Sequence, residues 1–323
     1  MNGSGGRLDP AAVRAVLRGA GLRARHDRSQ NFLADVEVLE AILAEAAPGP
    51  GRRTLEIGPG LGILTGALLG AGAAVTAVEL DAGLSAFLRS GNPDAITRAT
   101  VTGADEPGAL TLIEGDALDQ DLVHLLRPPY DVVANLPYHI TSPILHRLLE
   151  APPRPDRMVL MVQREVAERI AAPPGRMSYL SVFVQYHARV RIARIVPPSA
   201  FEPAPKVESA VIVVEPYPDD DRLGDAAAED ELWRIVQAAF RERRKMVHNV
   251  LARQLPFSAA QVAAALESAG IAPDRRPQTL AVGEWLRLRE VLGPVGPDLR
   301  GRRQLRSSPG GAPEDHVPRE QES

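Results

Sequence analysis

The chain has no cysteine and only two lysines, Lys206 and Lys245. Without cysteine there are no disulfides, no thiolate nucleophile and no cysteine-based zinc site. With lysine so scarce, arginine carries nearly all the positive charge. Arginine forks suit phosphates, but a bias spread along the whole chain reads as genome composition and not as a site. No apolar run approaches the roughly 18 residues of a membrane span. The polar, glycine-rich residues 1–10 hold no hydrophobic segment of the secretory kind. A cytoplasmic protein, working as a monomer and without a metal, is expected. The net charge of −4 argues mildly against a nucleic-acid partner, although phosphate contacts need only one basic face.

What is present suffices for one large domain or two moderate ones: 323 residues, 45% of them apolar. Residues 10–47 read as helical, with a break at 25–31. Short apolar, β-branched runs at 54–57, 74–80, 110–113, 131–135 and 158–162 read as strands, with helical stretches such as 63–69 between most of them. Strands alternating with helices predict a parallel sheet covered on both faces. Residues 92–109 are polar and irregular and read as a surface loop. Residues 216–225 are acidic and proline-bearing, a linker signal. Helices are predicted over 229–254, 258–269 and 282–292. From Gly293 the chain is rich in Gly, Pro, Arg and Ser without periodicity and reads as a disordered tail. The expected organisation is an N-terminal extension and helix (1–24), an α/β domain (25–216), a small all-helical domain (217–292) and the tail (293–323).

Glu56-Ile57-Gly58-Pro59-Gly60-Leu61-Gly62 follows a strand and opens a helix. Glycines there let backbone approach a ligand closely. The spacing is G-x-G-x-G and not the G-x-G-x-x-G of pyrophosphate binders, so it favours a ligand without a pyrophosphate. Alone, the turn is weak evidence, since an ordinary tight βα connection can look the same. Glu79 ends the next strand, where an α/β sheet places a carboxylate on ribose hydroxyls. Asp116, within Glu114-Gly115-Asp116-Ala117, follows the third strand and can accept from an adenine amino group. Each acid alone reads equally as a solvated loop carboxylate. Together, at the edge where open α/β sheets bind ligands, they point to S-adenosylmethionine.

The fourth strand runs into Asn135-Leu136-Pro137-Tyr138. Adenine N6 is a poor nucleophile because its lone pair is delocalised into the ring. Accepting hydrogen bonds from both N6 hydrogens localises that pair. The Asn135 side-chain oxygen is one acceptor and the Leu136 carbonyl a second. Pro137 removes a competing N–H and stiffens the turn. Tyr138 offers a face on which an extruded base can stack. A sulfonium makes its methyl so electrophilic that no strong general base is needed. Without the neighbouring glycine turn, the same residues would read as a strand end with a packed tyrosine.

In this order the motifs resemble those of the KsgA/RsmA ribosomal RNA adenine dimethyltransferases over about residues 25–292. Besides the stretches above, the similarity rests on Ser29-Gln30-Asn31-Phe32-Leu33, Val78-Glu79-Leu80-Asp81, Gly115-Asp116-Ala117-Leu118 and Asn135 through Ile140. It continues through Gln163-Arg164-Glu165-Val166, residues 196–201, residues 205–211 and residues 240–245. The resemblance implies a Rossmann-like methyltransferase sheet followed by a helical domain that helps hold RNA. It implies that Asn31, Leu33, Gly58, Glu79, Asp116 and Asn135 line the cofactor, with Gly60 and Ala117 beside them, and that Phe201 joins Tyr138 in holding the target base. The implied substrate is a pair of adjacent adenines in a hairpin near the 3′ end of 16S ribosomal RNA, within the small subunit or its precursor. His139 stands where relatives often have Asn, and Glu208 where Asp is common. Arg241, Arg243, Arg244 and Lys245 fall on one predicted helix and form a basic patch that reads as a phosphate-binding surface, with Lys206 a second contact. A solvated charged face would look the same. Three alternatives stay open: an Erm-type methyltransferase of 23S ribosomal RNA, a ribosome-assembly factor that keeps the fold without the chemistry, and, more remotely, a DNA adenine methyltransferase.

Overall fold

The computed structural model describes residues 8–25, 30–91, 107–150, 152–218 and 228–295. Most of the predicted 92–109 loop, much of the predicted linker, Ser29 and the tail beyond Val295 lie outside the described residues.

Helix α1 (Pro10–Gly19) starts on Asp9, whose carboxylate accepts the Ala12 N–H at 2.8 Å, with Pro10 in the first turn, where a missing N–H costs nothing. Strand β1 (Phe32–Leu33) leads to α2 (Val36–Ala46), capped by Asp35. A βα series follows: β2 (Arg53–Ile57), α3 (Ile63–Gly70), β3 (Ala74–Glu79), α4 (Ala82–Arg89), β4 (Leu110–Glu114), β5 (Asp131–Asn135), α5 (Thr141–Glu150) and β6 (Arg157–Gln163). Then come α6 (Arg164–Ile170), α7 (Tyr179–His187), β7 (Ala188–Val196), β8 (Phe201–Glu202) and β9 (Ser209–Pro216). Helices α8 (Glu229–Phe240), α9 (Val247–Gln254), α10 (Ala259–Ser268) and α11 (Val282–Leu292) close the described chain.

Seven strands form one sheet in the order β4-β3-β2-β5-β6-β9-β7. The first five are mutually parallel, as the alternation of strands and helices predicts. The sheet as a whole is mixed, because β9 runs antiparallel to β6 and β7 antiparallel to β9. These two antiparallel strands lie beyond the five that the alternation predicts. The period-2 alternation of a strand sorts β5 and β6 between two cores. Val132, Ala134, Met158, Leu160 and Val162 face α5 and α7. Val133, Val159 and Met161 face α2 and α3. Chain order reverses between β2 and β5, the topological switch point at which open α/β sheets bind ligands beyond their carboxyl ends.

The helical segments are real but differ in two respects from the sequence reading. The helix expected over 229–254 is broken at residues 241–246. The Lys245 N–H turns back to the Glu242 carbonyl at 2.8 Å, and the Val247 N–H leaves the helix for the Arg275 carbonyl at 2.7 Å. The tail does not begin at Gly293. Val295 is buried in the helical core, and its carbonyl accepts from Arg234 at 3.0 Å. That core also takes in Met177, Val182 and Tyr186, so α8–α11 pack directly on α7.

Candidate active site

Strand β2 gives way to Gly58 and Gly60, both left-handed at φ 71° and 61°. A Cβ on Gly60 would stand 3.1 Å from the Phe32 ring, so this position needs glycine for space as well as for conformation. The Gly60 N–H donates to Glu79 Oε2 at 3.0 Å, and the Asp81 N–H to Glu79 Oε1 at 2.8 Å. One carboxylate therefore ties the turn after β2 to the turn after β3. Burial raises the Glu79 pKa, while these two backbone donors oppose the shift. Each carboxylate oxygen keeps lone-pair capacity for a further donor.

Glu56 was a motif letter in the sequence and carries more in the structure. It is 1% exposed and borders the cleft, and its Oε2 has no hydrogen-bond partner. Burial, reinforced by the nearby Glu79 charge, pushes its carboxyl up to about 8. A neutral acid at pH 7 is the consequence. The available signal was an acidic residue inside the otherwise buried run Thr54-Leu55-Glu56-Ile57.

Beyond β4, Asp116 is half-buried, and its Oδ1 accepts the Leu118 N–H at 2.8 Å, shaping its own turn; Ala117 beside it is buried. Beyond β5, Asn135 donates from Nδ2 to the Asn31 carbonyl at 3.1 Å. Leu136 is buried, with its N–H donated to the Met161 carbonyl, and among the described residues its own carbonyl has no donor. Pro137 packs 3.7 Å from where a Gly58 Cβ would lie, which brings the two turns together. Tyr138 is half-buried, its hydroxyl 2.9 Å from Ser209 Oγ. Burial pushes its phenol up, against that hydrogen bond, so it stays protonated at neutral pH. His139 is exposed at the rim.

The glycines, Glu79, Asp116, Ala117 and the residues 135–138 all border one cleft, together with Asn31 and Leu33 from the N-terminal side. Its empty volume, open mouth included, is about 1250 Å³. Phe201 does not join them. It pairs with Leu33 across the β1–β8 ladder and is 2% exposed, packed in the core with Ala200 and Val211. Phe201, expected to help hold the target base, thus lies behind the cleft wall and not among the residues that line it. Lys206 is exposed in the loop between β8 and β9, at a groove shared with Arg164 and Glu208. Arg241, Arg243, Arg244 and Lys245 do cluster and are exposed, but they form the turn between α8 and α9, not a helix face. Arg241 is held by Gln254 at 2.9 Å, and Glu242 pairs with Arg253 at 2.8 Å, while Arg243, Arg244 and Lys245 make no ion pair among the described residues.

Comparison with known proteins agrees with this geometry. Residues 21–293 match the ribosomal RNA adenine dimethylase family. A protein of Anaeromyxobacter sp. (strain K), named ribosomal RNA small subunit methyltransferase A, is 41% identical over 293 residues, covering 87% of this chain and 97% of its own. The protein of that name from Geobacter sulfurreducens is also 41% identical, covering 88% and 100%. Among solved structures, the dimethyladenosine transferase of Plasmodium falciparum superposes with a TM-score of 0.64 at 25% identity, covering 80% of this chain and 95% of its own. The 23S ribosomal RNA methyltransferase ErmE gives 0.62 at 29% identity, covering 81% and 99%. A match over most of the chain, with relatives at this identity, leaves one conclusion: the chain belongs to the ribosomal RNA adenine dimethylase family.

Proposed function

We propose that the protein transfers methyl groups from S-adenosylmethionine to N6 of two adjacent adenines near the 3′ end of 16S ribosomal RNA, in the small subunit or its precursor. The observation that carries this reading is the meeting of Gly58, Gly60, Glu79, Asp116 and Asn135 around one cleft at the ends of four parallel strands. Glu79 has acceptor capacity left for ribose hydroxyls, and Asp116 stands beyond the neighbouring strand for the adenine amino group. Gly58 and Gly60 keep side chains out of the floor. The cofactor supplies a methyl on a sulfonium, electrophilic without further activation.

The chain's own part is to ready the nucleophile. Asn135 spends its amide N–H on Asn31, so its Oδ1 remains as an acceptor. The Leu136 carbonyl is the second acceptor. Two acceptors on the N6 hydrogens draw the lone pair out of the ring toward a tetrahedral nitrogen. Such preorganised groups act mostly in the transition state. Tyr138 holds the base by its face, a contact worth about 1–3 kcal/mol. The turn carrying Arg243, Arg244 and Lys245 holds RNA phosphates, with α8–α11 as its support and residues 217–292 as the RNA-binding domain.

The test is mass mapping of N6-methylated adenines in ribosomal RNA from cells with and without the protein, with transfer to purified small-subunit particles in parallel. Loss of methylation confined to the small subunit supports the reading. Methylation of 23S ribosomal RNA instead would favour the reading that the ErmE likeness suggests. Relatives at 41% identity named for the small subunit weigh against that outcome.

A further inference from the structure

Tyr138 begins a short 3-10 turn directly after Pro137. Nothing in that turn alone sets the angle of its ring. The far end of the side chain is fixed elsewhere: its hydroxyl lies 2.9 Å from Ser209 Oγ. Ser209 is fully buried. It is the first residue of β9 and is paired on one side with Gln163 of β6 and on the other with Val196 of β7. A strand bonded on both flanks is among the least mobile parts of a sheet. The ring is thereby held at two points, by its backbone beside the cleft and by its phenol on an interior strand.

We propose that Ser209 is a positioning residue that holds the Tyr138 ring as a preformed platform for the target adenine; this rests on the methyl-transfer reading above. A ring free to turn must be ordered each time a base arrives, which costs affinity and alignment. A displacement of about 1 Å at a reacting centre can cost about 100-fold in rate. The pinned ring avoids both. The sequence, in which Tyr138 and Ser209 sit in separate motifs, gives no hint that they act together. It also suggests that Tyr138→Phe should be mild, because only the ring face is invoked. The structure reverses that expectation, since the phenol is the anchor.

The experiment compares wild type, Tyr138→Phe, Ser209→Ala and the double variant in single-turnover methyl transfer to small-subunit particles. S-adenosylmethionine is saturating, and melting temperatures are measured alongside. Each single variant leaves one polar group without its partner, and both should melt lower than wild type. The double variant removes both partners, so its melting temperature should recover. Its rate should not, because the ring is still unpinned: all three variants are expected about 10-fold or more below wild type, with the double no slower than the slower single. Cofactor affinity should be unchanged throughout. Wild-type rates in both single variants, or a double variant whose rate recovers with its stability, would overturn the proposal and leave the bond a structural one. A wild-type protein that transfers no methyl to the particles would overturn the activity reading and this proposal with it.

Discussion

Asn135 and Asn31, far apart in sequence, are joined by a hydrogen bond from the Asn135 amide to the Asn31 carbonyl at 3.1 Å. A carbonyl can only accept, so the bond decides which way the Asn135 amide faces. Its oxygen is left to point away from Asn31, so the wall of the cleft orients the acceptor that the proposed activation of N6 requires.

Asn135→Ala should therefore lower single-turnover methyl transfer by roughly 100–1000-fold, with RNA binding retained. Asn135→Asp should fare no better, because a carboxylate would oppose the Asn31 carbonyl. The assay needs saturating S-adenosylmethionine to separate chemistry from binding. Near-normal rates in Asn135→Ala would refute the activation of N6 described above.

Glu79→Ala should weaken S-adenosylmethionine binding by at least about 1–3 kcal/mol. It removes an acceptor for the ligand and also strands the Gly60 and Asp81 N–H groups that hold the two turns. Glu79→Gln should lie between, since an amide keeps one acceptor and turns a donor toward the other N–H. Calorimetry in the presence of a chelator measures both and tests metal independence. Unchanged affinity in the alanine variant would remove Glu79 from the site.

Reversing Arg243 and Arg244 to Glu should weaken RNA binding and flatten its salt dependence, with cofactor affinity untouched. Both side chains project from a turn, and neither is ion-paired among the described residues, so the fold should tolerate the change. RNA titrations at several salt concentrations decide it. An unaltered salt slope would mean the turn is merely solvated.

Glu56 predicts a pH dependence of stability. Its carboxyl is near 8 in the folded protein and near 4.5 when unfolded. Below the lower value both states hold the proton and there is no penalty. Between the two the folded state keeps a proton that the unfolded state has lost, so stability falls as pH rises, by up to about 1.4 kcal/mol per pH unit. Glu56→Gln should remove this slope. Its urea midpoint should exceed the wild type's at about pH 9 and approach it at about pH 5. A difference independent of pH would show that Glu56 is ionised in the folded state.

Ending the chain after Leu292 should lower the melting temperature relative to ending it after Val295. The shorter form loses a buried side chain and the acceptor of Arg234. Loss of one buried valine is worth on the order of 1–2 kcal/mol. Equal melting temperatures would show that Val295 adds nothing to the helical core.

The parallel half of the sheet and the cleft residues at its edge were legible because each rests on a local signal. A β-branched run ends in a glycine, an acid or an Asn-x-Pro, and β5 is found at the very residues expected. Strand β9 carries the same kind of run, Ala210-Val211-Ile212-Val213-Val214, but no α-helix separates it from β7 and β8, so the strand–helix alternation that marks the others is missing. The break at 241–246 had no local signal at all. Arginine, glutamate and lysine are good helix formers, and neither proline nor glycine intervenes. After Phe240 the chain closes a tight turn, with the Lys245 N–H on the Glu242 carbonyl, and the Arg275 carbonyl takes the Val247 N–H as α9 begins; Arg275 is itself held at Glu284. The burial of Phe201 is illegible for a related reason, since it depends on a two-residue pairing with β1 that no local pattern announces.

That pairing also sets when the cleft can be finished. Residues 32–33 belong to its wall, yet among the described residues their only strand partner is at 201–202. Closing so long a loop carries an entropic cost that two ladder positions cannot offset early in folding. A nascent chain leaving the ribosome can assemble β2, β3 and the glycine turn from local pairings. It must wait for β8 before Phe32 is fastened over Gly60 and Asn31 is fixed opposite Asn135. The binding site is thus completed late in synthesis, and a fragment ending before Phe201 should hold much of the sheet but bind S-adenosylmethionine poorly.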